Sequence, residues 1–349
     1  MEEIHRILEA LQCNDQRSVL ATIIHVEGSA YLKEGASMLF LEDGSQIGLL
    51  SAGCLEADLA ERVPEILETG KACGFVFDMQ SLDPISWGDE SGCGGVIHVT
   101  MEPVDDVFLN HLCALKDYLD HQMKVMIIKK ISADRSVSDY AFVAENRQLF
   151  GAWRGGISQA LLDWTTSKES RRSGIKVISS MQEHVFVHTY DPKPRLVIFG
   201  AGQDARPLAA FAAATGFSVI VSDWRPVLCD RYYFPDADTL LLGFPEESVN
   251  MIDFTSSDYA VVMTHHFRRD QQLIRFLSER QLCYLGVLGS KHRTARLLNG
   301  NPMPVNLHAP VGIAIGAEGP VEIAVSILAD LIHTYRINKK REAVTHEAE

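Results

Sequence analysis

Two cysteines and one glycine turn are the residues whose types and spacing suit chemistry. Cys54 follows the small residues Ala52 and Gly53 and opens a stretch in which Leu55, Leu59, Val63, Ile66 and Leu67 recur at helical spacing. Unpaired N–H groups and the dipole at a helix start favour a thiolate and lower a cysteine pKa, and Glu56 shares that first turn. The same residues also fit a buried cysteine at a strand-to-helix junction, with Glu56 complementing the dipole. Cys93 stands in WGDESGCGG, between Gly92 and Gly94-Gly95. Such a loop leaves backbone N–H groups free to form an anion-binding concavity beside a sulfur. It also fits a plain glycine turn ahead of the strand Val96 to Met101.

The third feature is the run from Arg195 to Pro226. Leu196 to Phe199 form an apolar strand that ends in Gly200, Gly202 and Ala205, spaced as G-x-G-x-x-A. In that spacing the first glycine makes the tight turn, the second admits a phosphate close to backbone, and the small third residue lets helix pack on strand. Leu208, Phe211, Ala212 and Thr215 continue as a helix with Pro207 in its first turn. A second strand, Phe217 to Val221, delivers Asp223, placed to take a ribose hydroxyl. Arg225, two residues on, keeps a 2′-phosphate or another anion open as the ligand. Gln203 in the turn, His265 at the end of the strand Tyr259 to Met263, and Ser290 opening the helix at Lys291 complete the candidate binding residues, because open α/β sheets take ligands at the carboxyl ends of their strands. Asp270, Lys291, Arg293 and Arg296 read as solvated helix faces.

The elements that hold these residues read as an α/β chain of two domains. Residues 1–190 form a mixed α+β domain carrying the cysteine loops, residues 191–338 a Rossmann-like domain with a mainly parallel sheet, and residues 339–349 a charged, disordered tail. A linker is expected at His188 to Pro194. In the first domain a helix covers residues 3 to 12, followed by a strand from Ser18 to Val26 and a hairpin turning at Glu42-Asp43-Gly44-Ser45. Further elements are a strand at Cys73 to Asp78, a helix at Asp105 to Asp120, and strands at Val125 to Ile131 and Tyr140 to Ala144. Between Ser158 and Met181 only a helix over Ala160 to Trp164 is legible.

The 349 residues carry a net charge of −14, which excludes partners that need a basic field, namely nucleic acid and anionic membrane. The start MEEIHRILEALQC is acidic and amphipathic, unlike a signal peptide, and a cytoplasmic location is expected. Seven cysteines without a C-x-x-C pair point to neither a disulfide framework nor a zinc or iron–sulfur site.

Six segments in fixed order resemble the xanthine dehydrogenase accessory protein family, the XdhC/CoxI group. They are GSAYLKEGASMLFLEDGSQIGLLSAGCLE, SGCGG, LVIFGAGQDARPL with SDWRP, VVMTHHFRRD, YLGVLGSKHRTARLL and HAPVGIAIGAEGPVEIAVSI, covering most of the chain outside residues 105 to 190. The resemblance implies a maturation factor that binds the molybdenum cofactor, supports its sulfuration and hands it to a xanthine dehydrogenase-type molybdoenzyme of purine catabolism. It also implies a cysteine desulfurase as a sulfur source, and base rates add a homodimer. Cys54 matches the family's S-G-G-C-x-E and Cys93 its C-G-G, as candidates for passing sulfur or, for Cys93, contacting the metal. The chain departs from the family at Gln203, where histidine is common, at His266 within T-H-D, at Ala52 in place of glycine, and around Tyr31 to Glu34, where P-R-x-P is absent. The alternatives are an NAD(P)-dependent oxidoreductase, suggested by the glycine turn with Asp223, and a xanthine dehydrogenase component in its own right, which the lack of clustered iron–sulfur cysteines disfavours.

Overall fold

The computed structural model describes residues 3–51, 53, 55–79, 94–167, 169–178 and 183–348. The chain divides into two compact units between Pro192 and Lys193. Among the described residues no helix is long and apolar enough to cross a membrane.

In the first unit β1 (Ser18–Glu27) is the central strand of a five-stranded antiparallel sheet. Its neighbours are β2 (Ser37–Leu41) with β3 (Gln46–Gly48) on one side, and β5 (Val96–Pro103) with β4 (Cys73–Asp78) on the other. Alternation along β1 sends Val19, Ala21 and Ile23 to α2 (Glu56–Thr69), where Leu59, Val63 and Ile66 meet them. Leu20 and Ile24 face the opposite way, onto α1 (Ile4–Cys13) and α3 (Asp106–Asp120). Those two helices are in turn covered by Ile127, Phe142 and Phe186 of a second antiparallel sheet. Its strands β6 (Val125–Ile131), β7 (Val137–Ala144), β8 (Leu149–Ala152), β9 (Gly174–Ile178) and β10 (Glu183–Tyr190) lie in the order β8-β7-β6-β10-β9. The short α4 (Gln159–Thr165) closes its far face with Leu161. The expected linker at His188 is corrected: His188 to Tyr190 pair with β6 as the end of β10, and only the residues after Tyr190 leave the sheet.

The second unit is a six-stranded, wholly parallel sheet. Its strands are β11 (Arg195–Phe199), β12 (Ser218–Asp223), β13 (Thr239–Leu242), β14 (Tyr259–Val262), β15 (Tyr284–Val287) and β16 (Leu307–His308), in the order β13-β12-β11-β14-β15-β16. This is the doubly wound order, and its direction reverses between β11 and β14. Leu196 and Ile198 of β11 pack against α5 (Ala205–Ala214) and α9 (Gly319–Ala348). Val197 and Phe199 pack against α7 (Phe267–Ser278) and α8 (Lys291–Leu298) on the other face. The six-residue α6 (Pro245–Asn250) follows β13. The tail after Asn338, expected to be disordered, instead continues α9 through Ala348.

Candidate functional site

The direction reversal places the ends of β11 and β14 side by side, and Gly200 is the residue that permits it. Its φ of +118° is one that side chains avoid, and a Cβ there would lie 2.6 Å from the Met263 carbonyl oxygen and 2.9 Å from the Thr264 Cα. Beyond it, α5 begins without a side-chain cap and without an acidic residue in its first turn. The N–H groups of Gly202 and Gln203 have no partner among the described residues, and the Gln203 side chain is exposed. Ala205 is fully buried in the core beneath, which is why a small residue sits at the third position of the motif.

His265 follows β14 with a left-handed φ of +59°, and its Nε2 lies 2.6 Å from Asp204 Oδ2, so the glycine turn and the β14 end share an acid–base pair. His266 turns away as the cap of α7, its Nδ1 accepting from the Arg269 N–H at 3.4 Å. Ser290 caps α8 by accepting from the Arg293 N–H at 3.2 Å. Asp270 is not solvated, contrary to expectation, and Arg293 is half-buried beside it. Asp270 is fully buried, accepts from the Thr264 hydroxyl and pairs with Arg293 at 2.6 Å, and Arg293 also donates to the Leu288 carbonyl. A buried carboxylate needs such partners, and here they brace the loops after β14 and β15.

Asp223 stands at the end of β12 with a side chain that is 0 % exposed. Burial alone would push its carboxyl up. Donation from the Arg225 side chain and from the N–H groups of Ala201 and Arg225 outweighs that and holds its pKa below the ordinary carboxylate value. Between Asp223 and Arg225 lies Trp224, which no motif in the sequence singles out. The guanidinium carbons of Arg225 and Arg269 lie 4.5 Å and 3.4 Å from its ring centre, and the His266 ring lies 6.0 Å away. The only hint in the sequence is that W and R are adjacent in SDWRP, with a second basic run in HHFRRD.

In the first unit, Cys54 and Cys93 lie outside the described residues, as do Ala52 and residues 80–93. Their described neighbours share one end of the first sheet. Register pairs Thr22 with Ser37, Glu27 with Val96, Gly48 with Met38 and Asp78 with Val96, so the chain leaving β1, β3 and β4 and the chain entering β5 all emerge there. Glu56 organises the stretch around position 54. Its carboxylate accepts from the N–H groups of Leu50 at 3.1 Å, Ser51 at 2.7 Å and Leu55 at 3.2 Å, and from the Ser51 hydroxyl. On the other side Gly94 donates to Ser29 Oγ at 3.2 Å, and a Cβ on Gly95 would lie 2.4 Å from the Glu27 carbonyl oxygen. Among the described residues no group of three or more His, Cys, Asp or Glu side chains is arranged to hold a metal ion.

Burial raises the Glu56 pKa, but the donors from Ser51 and Leu50 outweigh it and leave the carboxyl below its ordinary value. Such a group stabilises the fold above its unfolded pKa, and the contribution is lost as pH falls through the folded value. Glu56→Gln is therefore expected to cost about 1.5–3 kcal/mol at neutral pH. The gap to the parent should close in acid. Urea denaturation across that range checks it, and a gap that does not change with pH would contradict this account.

A glycine turn at the switch point, an uncapped helix start and cations beside β12 define a Rossmann-type α/β protein. Residues 196–331 match the XdhC Rossmann domain, residues 11–78 the XdhC and CoxI family, and residues 106–191 the BH1974-like central domain. The chain belongs to the XdhC and CoxI family. It is 42% identical over 344 residues, 99% of its length and 100% of the relative's, to a Bacillus subtilis (strain 168) protein named as a probable xanthine dehydrogenase subunit. It is 24% identical over 345 residues, 96% of its length and 88% of the relative's, to the Escherichia coli (strain K12) molybdenum cofactor insertion chaperone PaoD. A solved structure described as a xanthine dehydrogenase from Bacillus halodurans is 44% identical, covers 98% of both chains and superposes with a TM-score of 0.86.

Proposed function

We propose that this protein is an accessory factor that binds molybdenum cofactor, supports its sulfuration and delivers it to a xanthine dehydrogenase-type molybdoenzyme. The observation that carries the reading is near full-length similarity to a relative named as a molybdenum cofactor insertion chaperone. The names of two further relatives tie the family to xanthine dehydrogenase. In this reading the cofactor is cargo. The Gly200 to Gln203 turn and the arginines beside Trp224 suit its phosphate-bearing end, because N–H groups at a helix start and guanidinium groups both favour anions. Cys93 is assigned to the metal side and Cys54 to sulfur passage, since a thiolate suits both tasks. The same reading takes His265 and Ser290 as further contacts of the cargo. A cysteine desulfurase as sulfur donor, a cytoplasmic setting and a homodimer belong to the same proposal.

Protein purified alongside a source of molybdenum cofactor should carry a fluorescent pterin. Cys54→Ala and Cys93→Ala should each slow activation of an apo-dehydrogenase, and normal activation by the double variant would defeat the reading. The alternative of an oxidoreductase that uses NAD gains nothing from the geometry, since Asp223 already spends its acceptor capacity within the protein.

A further inference from the structure

We infer that the β12 end of the Rossmann crevice recognises a phosphomonoester and rejects a ribose diol. Asp223 stands where an acid in this fold ordinarily accepts the ribose hydroxyls. Here its Oδ1 accepts from the Arg225 N–H at 2.8 Å and Arg225 Nε at 2.9 Å, while its Oδ2 accepts from Arg225 Nη2 at 2.7 Å and the Ala201 N–H at 2.8 Å. A carboxylate offers about four acceptor positions, so none remains for a ligand hydroxyl. The carboxylate is also wholly buried, behind the arginine it holds.

What the crevice presents instead is cationic. Arg225 is bound to Asp223 through one edge, its side chain is 39 % exposed, and its Nη1 group has no partner among the described residues. Arg269 stacks on Trp224 and lies 5.0 Å from the Phe244 ring, and its buried Nη1 likewise has no hydrogen-bond partner among the described residues. Two guanidinium groups held against one indole, in a protein of net charge −14, form a local anion receptor rather than part of a general basic field. Guanidinium groups match a terminal phosphate through paired hydrogen bonds. The Asp223–Arg225 pair serves to aim that donor.

Two sources supply this chemistry: the 2′-phosphate of a dinucleotide, or the phosphate that ends a pterin cofactor's side chain. The inference rests on the cofactor-carrier reading only for the second. The test titrates the full chain by calorimetry with two ligand pairs, NADP⁺ against NAD⁺, and molybdopterin against enzymatically dephosphorylated molybdopterin. In at least one pair the phosphorylated member should bind roughly tenfold tighter or more. Arg269→Gln, which breaks no ion pair among the described residues, should remove most of that difference. Arg225→Gln should abolish the difference and, by freeing Asp223, improve the binding of NAD⁺.

Discrimination in the dinucleotide pair with no binding of either pterin would keep this inference and remove the cofactor-carrier reading. Discrimination in the pterin pair would support both. Equal binding within every pair that binds, or no binding of either phosphorylated member at millimolar concentration, would overturn the inference. So would an undiminished preference in Arg269→Gln.

Discussion

Gly200→Ala is expected to destabilise the Rossmann unit by about 3 kcal/mol or more and to lower its melting temperature by roughly 6–12 °C. Two costs combine. A φ of +118° strains any residue with a Cβ, and the new methyl group would meet the Met263 carbonyl and the Thr264 Cα, which are backbone and cannot swing aside. Gly44→Ala separates the two costs. Gly44 also has a positive φ, of +88°, but nothing lies within 4 Å of where its methyl group would stand, so only strain of about 1–2 kcal/mol applies. Differential scanning calorimetry of both variants gives the comparison, and equal losses would mean that β11 and β14 do not approach as described.

The second large effect concerns the first unit. Lys129 of β6 and Glu102 of β5 form an ion pair that links the two antiparallel sheets, with side chains 0 % and 6 % exposed. Lys129→Met should cost about 3–5 kcal/mol, because it leaves a carboxylate buried without its partner. Replacing both residues with apolar ones of similar volume, Lys129→Met with Glu102→Leu, should recover most of that loss, since the desolvation cost of both charges disappears together. Urea denaturation of the single and double variants decides it. A double variant no more stable than the single one would show that something other than the stranded charge is responsible.

The parts of this protein that follow local rules are legible in the sequence. The strand Leu196 to Phe199, its glycine turn and the helix behind it declare themselves because a parallel strand covered on both faces must be continuously apolar. Gly319-Pro320 likewise marks the start of α9. The strands β8, β9 and β10 are not legible, because residues such as Glu183, His184 and Lys176 interrupt any alternation and only pairing with β6 and β7 makes them strands. Helical order beyond Asn338 is hidden for a related reason, as a charged run reads as solvated chain.

At the site the division is sharper. Gly200, Ala205 and the position of Asp223 follow from motif spacing, but the loss of Asp223 as a ligand acceptor depends on how Arg225 folds back and on Ala201, twenty-two residues away in sequence. The pairing of Asp204 with His265 spans sixty-one residues and leaves no trace in either local pattern. Glu56 is visible as a first-turn acid. Its work on the loop before it is not, because that depends on the chain turning back at Ser51.

The last strand of the parallel sheet, β16, is only Leu307 and His308. Its place is secured from the side: His308 and Tyr284 both hydrogen-bond to Asp330 of α9, at 3.0 Å and 2.7 Å. A margin two residues long gives an approaching chain almost no ladder to join. If two copies associate, they do not do so by extending this sheet through β16.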